Sequence, residues 1–354
     1  MAAGGVQTLI KTMRIRPGRR VLVAGTGPLI LSVANRLHAI GVEVVAMLEA
    51  GRPRWLDQAF LQEWGEWDFI KDAWDNWQGL RRADIPLLFN HTIVEAHGRD
   101  GVEGASYGPV DPYDWRPLKD QARTVEVDLV CIGFGFVPNT ELTVLAGCQH
   151  QYVHELGGWV PIRDPMMQTT VPGVFAVGDG AGVAGALVAI EEGRVTGITT
   201  AEQAGAISAN EAANRRAIPL SRLRSLTQVR KVFEEASWIR PGLLDLTTPE
   251  TLVCRCEEIT LAEVQAALDE GAHDLQAVKL LTSLGMGPCQ GRNCAPSVGR
   301  YLCRATGRTP EQVGRINPRP PVKPVTLGAL AHAGEVAEVS AGDPLDAIDR
   351  GGQL

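Results

Sequence analysis

The sequence predicts an α/β fold followed by a smaller helical unit. Three observations predict it. Short apolar runs alternate with helix-period segments over the first 200 or so residues, two of those runs end on glycine turns that open a helix, and four of the seven cysteines fall between 254 and 294. Composition agrees: 45% hydrophobic and 21% charged residues exclude a disordered or fibrous chain. The 39 glycines in 354 residues exceed the usual ~7%, which suits tight turns and loops lying against a ligand. A net charge of −7 gives no field that would draw nucleic acid or an anionic membrane. The longest apolar stretch, Ala181 to Ile190, stops at Glu191 and Glu192, short of the ~18 residues a membrane span needs.

Taken in order, residues 1–18 hold a helix spaced by Val6, Leu9, Ile10 and Met13 and closed by Pro17-Gly18. Six basic residues and no acid precede Glu43, a bias also found in transit peptides, but Arg16 to Arg20 lead straight into the strand Val21 to Ala24, as basic residues flanking folded structure do. Residues 19–127 are expected to form the first dinucleotide unit. Its strand is followed by Gly25-Thr26-Gly27-Pro28, a helix to about Ile40, and a strand from Val42 to Leu48 that ends on Glu49. This is the order in which a Rossmann unit cradles a pyrophosphate: the first glycine permits the turn, the second lets backbone approach, and the helix N-terminus offers N–H groups and positive dipole. Ile30 stands where a third glycine or alanine is usual, so the fingerprint is partial. Glu49, some 20 residues on, is placed to accept the ribose hydroxyls of NAD and repel a 2′-phosphate. A glycine turn in a nucleotide-free α/β domain is the competing reading. Helical pattern over 54–82 carries Trp55, Trp64, Trp67, Trp74 and Trp77, for which core packing competes with a docking surface. Short β-like runs follow at 86–98, 101–109 and 123–133.

Residues 128–204 contain two further signals. Asp128 to Asn139 is an apolar strand entering a glycine turn at Gly133 and Gly135, and Val174 to Val177 is an apolar run, read as a strand, delivering Gly178-Asp179 ahead of a helix from about Gly185. Asp179 alone would pass for a helix-capping turn residue. Together the two resemble motifs of the two-dinucleotide-domain disulfide and NADH reductase family, in which the late strand brings an aspartate to the flavin ribityl chain. The resemblance implies that 128–204 is the C-terminal half of an FAD-binding domain, with Gly135, Gly178 and Asp179 against the flavin. No glycine loop precedes Gly25, so the unit that holds the flavin pyrophosphate in that family is expected to be missing from an N-terminally short chain.

Residues 205–250 read as a helical linker, 251–313 as a compact unit, and 314–354 as a Pro-rich arm with a loose tail. Cys254-Arg255-Cys256 and Cys289 with Cys294 make a CxC…CxxxxC set able to hold zinc or an iron–sulfur cluster. Zinc modules usually pair ligands as CxxC. Glycines at 285, 287 and 291 free backbone N–H groups for sulfur, and Arg255 and Arg292 can offset cluster charge, which favours iron. Disulfides are the bland alternative, expected less in a reducing, cytoplasmic setting. Cys131, Cys148 and Cys303 are expected to be packing residues. The set resembles the bacterioferritin-associated ferredoxin type of [2Fe–2S] module.

The module order resembles the alpha subunits of heteromeric amine dehydrogenases and oxidases: the A subunit of opine oxidase, dye-linked proline and hydroxyproline dehydrogenases, the sarcosine oxidase alpha chain and cyanide-forming glycine dehydrogenases. The resemblance implies an electron-transfer subunit using FAD, NAD(H) and a [2Fe–2S] cluster, acting on CH–NH or CH–NH2 donors with a flavoprotein beta subunit that oxidises the amine. No general base or nucleophile is expected. Two alternatives stay open: an NADH-dependent reductase passing electrons out through the cluster, as in ferredoxin or nitrite reductase systems, and a non-catalytic iron–sulfur or zinc module.

Overall fold

The computed structural model describes residues 1–52 and 67–332. Trp55, Trp64 and the tail from 333 onward lie outside them. The chain opens with α1 (Ala3–Lys11), β1 (Arg20–Gly25), α2 (Pro28–Ala39) and β2 (Glu43–Glu49), followed by α3 (Trp67–Arg82) and β3 (Leu87–Phe89). A meander of β4 (His91–His97), β5 (Gly104–Pro109) and β6 (Arg123–Glu126) leads to β7 (Leu129–Gly133). The four parallel strands stand in the order β3-β2-β1-β7.

Why this sheet forms is plain in its burial. β1 is Val21, Leu22, Val23 and Ala24, all buried, as a strand covered on both faces must be. One face packs α1 and α2 through Val6, Ile30, Val33 and Leu37, and the other packs the antiparallel meander through Leu22, Leu48, Ala105 and Val130. The register sets Gly133, Gly25 and Glu49 side by side at the carboxyl ends of the strands. There the chain leaves β1 to one side for β2 and returns on the other as β7, the switch point where open α/β sheets bind ligands. Because β7 completes this sheet, the expected boundary at 128 falls one strand too early.

Beyond β7 come α4 (Glu141–Leu145), the antiparallel hairpin β8 (His150–Val153) and β9 (Gly158–Pro161), α5 (Ala186–Gln203) and the long α6 (Ala209–Ser237). The apolar run 174–177 is not a strand: only Phe175 makes an isolated bridge, to Gln168. A strand needs a neighbour to take its N–H and C=O groups, and among the described residues no sheet lies beside it. Instead, Thr169 closes a turn by accepting from Val171 N–H and donating to Val174 O.

The C-terminal unit contains β10 (Leu252–Cys254), β11 (Ile259–Thr260), α7 (Leu261–Asp269), α8 (Leu275–Thr282), α9 (Cys294–Thr306) and α10 (Pro310–Val313), with α11 (Leu327–Ala331) in the arm. It has its own core of Val264, Leu275, Val278, Leu284, Val298 and Leu302. Capping boxes of Thr260 with Glu263 and Thr309 with Gln312 start α7 and α10, and Asp274 caps α8. In α3, Trp74 is 50% exposed and stacks at 4.9 Å on Trp77, over which Arg81 lies, so core packing is not the role of Trp74. No helix among the described residues is long and apolar enough to cross a membrane.

Candidate functional site

Three clusters of expected site residues can be located. At the first, Gly25 cannot be replaced without rebuilding the turn: a Cβ there would lie 1.9 Å from Gly133 O. Thr26 N–H donates to that same oxygen at 2.9 Å. Gly27, at φ +90, starts α2 with Pro28 at its first position and no side-chain cap, leaving the helix N-terminus open to an anion. Ile30, out of line with the fingerprint, is fully buried, and the room comes from the neighbouring strand, since a Cβ on Gly133 would meet Ile30 Cγ2 at 2.8 Å. The close helix-to-sheet approach usually supplied by a third glycine is supplied here by Gly133.

Glu49 closes this loop. Its Oε2 accepts from Gly27 N–H and its Oε1 from Gly51 N–H, both at 3.1 Å. It is 8% exposed. Burial pushes its carboxyl up to about 7, against the pull of those backbone donors. The group is thus poised to change charge near neutral pH.

The second cluster is the Gly178–Gly180 turn ahead of α5. Asp179 is exposed, and Gly135, at φ +94, is exposed on the segment leaving β7. The helix begins as α2 does, on an uncapped glycine at φ +90, here Gly185. What holds the turn was missed in the sequence. Glu192 Oε2 accepts from Gly178 N–H at 2.7 Å, while its Oε1 pairs with Arg163 at 2.5 Å, and Arg163 also donates to Ala176 O at 2.9 Å. Glu191, beside it, is buried against Arg194 and Arg222. The signal was present as two adjacent acids inside an apolar helix, positions that an unpaired charge would not tolerate.

At the third cluster the structure sets Cys256 beside Cys289 and Cys254 beside Cys294, close enough for each thiol to act on its neighbour's titration. All are free thiols. Among the described residues no group of three or more His, Cys, Asp or Glu side chains converges on a single ion position. Burial works to raise the Cys289 thiol, but N–H groups of Asn293, Gly291 and Arg292 and the Cys256 thiol hold it below the ordinary value. Burial and the neighbouring Cys254 push Cys294 up to about 12. Gly287 is obligatory for this approach, because a Cβ there would sit 2.3 Å from Cys256 Cβ. Arg292 is differently employed than expected: its Nε pairs with Glu141 at 2.7 Å and its terminal nitrogens donate to Cys289 O and Val322 O, so it ties the cysteine loop to α4 and to the arm. Of the other cysteines, Cys131 and Cys148 are buried, whereas Cys303 borders a cavity.

Comparison with known proteins places this geometry. Residues 5–205 match the pyridine nucleotide-disulphide oxidoreductase family, and residues 248–335 match the sarcosine oxidase A3 domain. Hydrogen cyanide synthase subunit HcnB of Pseudomonas aeruginosa is 32% identical over 95% of this chain and 72% of its own length. The A subunit of opine oxidase from Agrobacterium tumefaciens is 28% identical over 98% of this chain and 68% of its own. The fold is shared with L-proline dehydrogenase of P. horikoshii at a TM-score of 0.63 and 19% identity, over 93% of this chain and 53% of that one, so this chain spans about half its length. The chain belongs to the pyridine nucleotide-disulphide oxidoreductase family, as a relative of the hydrogen cyanide synthase and opine oxidase subunits.

Proposed function

We propose that this chain is the electron-transfer subunit of a heteromeric amine or amino-acid dehydrogenase or oxidase, with FAD, NAD(H) and a [2Fe–2S] cluster as cofactors and amine oxidation in a partner flavoprotein chain. The observation that carries the reading is the CxC…CxxxxC set, its two halves 33 residues apart yet placed as neighbouring thiols, following a family oxidoreductase unit. Supporting it, two relatives are named as subunits of a synthase and an oxidase.

The donor set fits the cluster. Four cysteine thiols are the donors such a cluster would take, and backbone N–H groups of Asn293, Gly291 and Arg292 already act on the Cys289 sulfur. A [2Fe–2S] cluster passes one electron at a time, which lets a two-electron flavin feed a one-electron acceptor. Cys254, Cys256, Cys289 and Cys294 would hold it, with Gly287 and Gly291 shaping the loop. Gly25, Gly27 and Pro28 would seat a dinucleotide pyrophosphate at the open end of α2, and Glu49 would take the ribose hydroxyls. Gly178 and Asp179, held by Glu192 and Arg163, would face the flavin beside the uncapped end of α5, with Gly135 on the return from β7.

Anaerobically purified protein is expected to show broad visible iron–sulfur absorbance that Cys254→Ser abolishes; a colourless, zinc-loaded protein would refute the cluster. Joined to its partner flavoprotein, the chain is expected to restore electron flow from an amine or amino acid to a dye. Bleaching of a bound flavin by NADH with no partner present would favour the reductase alternative instead.

A further inference from the structure

A large cavity borders the cysteine loop through Gln290, Gly291 and Arg292 but holds none of the four thiols. It encloses 1210 Å³ between β4, the β8–β9 hairpin, the segment after α6 and the cysteine unit with its arm, and none of Gly25, Gly27, Glu49, Gly178 or Asp179 lines it. Its walls are mostly apolar and aromatic, yet six arginines and only two carboxylates line it. One of those carboxylates, Glu141, is committed to Arg292, and Arg304 is satisfied outside the cavity by Asp245 at 2.5 Å.

Two of the remaining cations, Arg315 and Arg300, have no carboxylate partner among the described residues. Arg315 stands over the Trp159 ring at 5.4 Å from its centroid, and its Nη1 is buried with no hydrogen-bond partner among the described residues. Arg300 stands beside Tyr152 and acts on its titration, and Tyr152 meets Trp159 edge-on at 5.9 Å. His154 packs on Trp238 at 4.5 Å across the same wall. Burial, with Arg300 next to it, keeps His154 below its ordinary range, so it adds no charge at neutral pH, and His150, beside Arg315, is lowered by burial in the same way. A buried guanidinium nitrogen without a partner is costly unless something anionic meets it. The planar fork of arginine matches carboxylate and phosphate oxygens, and rings beside it match an aromatic body.

We propose that this cavity binds an anionic aromatic small molecule, its carboxylate or phosphate held by Arg300 and Arg315 and its ring lodged among Tyr152, Trp159 and Trp238. The site contains none of the proposed nucleotide residues or cysteine ligands, though it borders the cysteine loop at Gly291 and Arg292, so ligand binding there is measured apart from cofactor loading. A ligand there touches both the hairpin after β7 and the cysteine unit.

The test uses the full chain with benzoate, phenyl phosphate and inorganic phosphate as probes, followed by calorimetry and by tryptophan fluorescence. Benzoate or phenyl phosphate is expected to bind saturably, the better of the two telling carboxylate from phosphate, with inorganic phosphate weaker than phenyl phosphate. Arg315→Gln and Arg300→Gln are each expected to weaken binding at least ~10-fold, the loss of a charge-assisted hydrogen bond. Ligand-free Arg315→Gln is expected to melt no lower than the parent, because it removes a buried cation that has no partner. The proposal is overturned if neither aromatic probe binds by ~10 mM, a weak-binding limit. It is equally overturned if both variants keep their affinity within twofold, or if Arg315→Gln only lowers the melting temperature, which would make Arg315 a packing residue on Trp159. Should Arg315→Gln fail to fold, Arg300→Gln decides.

Discussion

Replacing Glu49 by glutamine tests the loop directly. The carboxyl titrates near 4.5 in an unfolded chain and near 7 in the folded one, because burial disfavours its charge. A pKa raised on folding means that the native state binds the proton more tightly, so this contribution is fully present below 4.5 and is lost as pH rises through 7. The rise from 4.5 to about 7 corresponds to about 3 kcal/mol. Glutamine carries no charge, but its single carbonyl oxygen serves one of the two N–H groups of Gly27 and Gly51, a loss of about 1 kcal/mol. Near pH 5 the unfolded Glu49 is already partly ionised, which costs the parent about as much as the lost hydrogen bond costs the variant, so the two proteins should be about equally stable. By about pH 8 the variant should be ahead by about 2 kcal/mol. Urea denaturation at several pH values reads this difference. A gap that does not change with pH would falsify the assignment of the loop's titration to Glu49. Under the proposed NAD role, ribose hydroxyls favour the carboxylate, so NADH binding near pH 7 should release protons, visible as a dependence of calorimetric heat on the buffer's ionisation enthalpy.

Other substitutions follow from the same geometry. Gly133→Ala places a Cβ 2.8 Å from Ile30 Cγ2 and 3.1 Å from Ala3 Cβ, and should cost roughly 1–3 kcal/mol by denaturation, with Ile30→Ala, which removes Cγ2, relieving that contact in the double variant. Arg163→Ala strands the buried Glu192 carboxylate and should cost about 3 kcal/mol, and in the flavin-loaded protein it should loosen flavin retention through the Gly178 turn, read by filtration and fluorescence. Gly287→Ala drives a methyl against Cys256 and should lower iron content per chain with the rest of the fold intact by circular dichroism.

The first βαβ unit was legible because each of its signals is local: an all-apolar β1, glycines at 25 and 27, and Glu49 at the end of β2 lie within 30 residues. The tolerance of Ile30 was not, since its room is made by Gly133, on a strand that sequence alone assigned to the next unit. Run 174–177 shows the opposite failure, an apolar pattern that means strand only when a sheet edge is present to receive it. The four cysteines were legible through their spacing, whereas Arg292 was read from its neighbours in sequence and is in fact claimed by Glu141 in a different unit. The arginine cavity left no trace in any single segment, because its walls come from stretches between 24 and 322.

The Arg292 bridge has a mechanical meaning. One guanidinium holds the carbonyl of Cys289, the carboxylate of Glu141 at the head of α4, and the arm at Val322. Arg292 therefore ties the head of α4 directly to the cysteine loop, in addition to the covalent path through the long α6. A force applied to α4 or to the arm would reach the cysteine loop through the Arg292 guanidinium before any thiol moved.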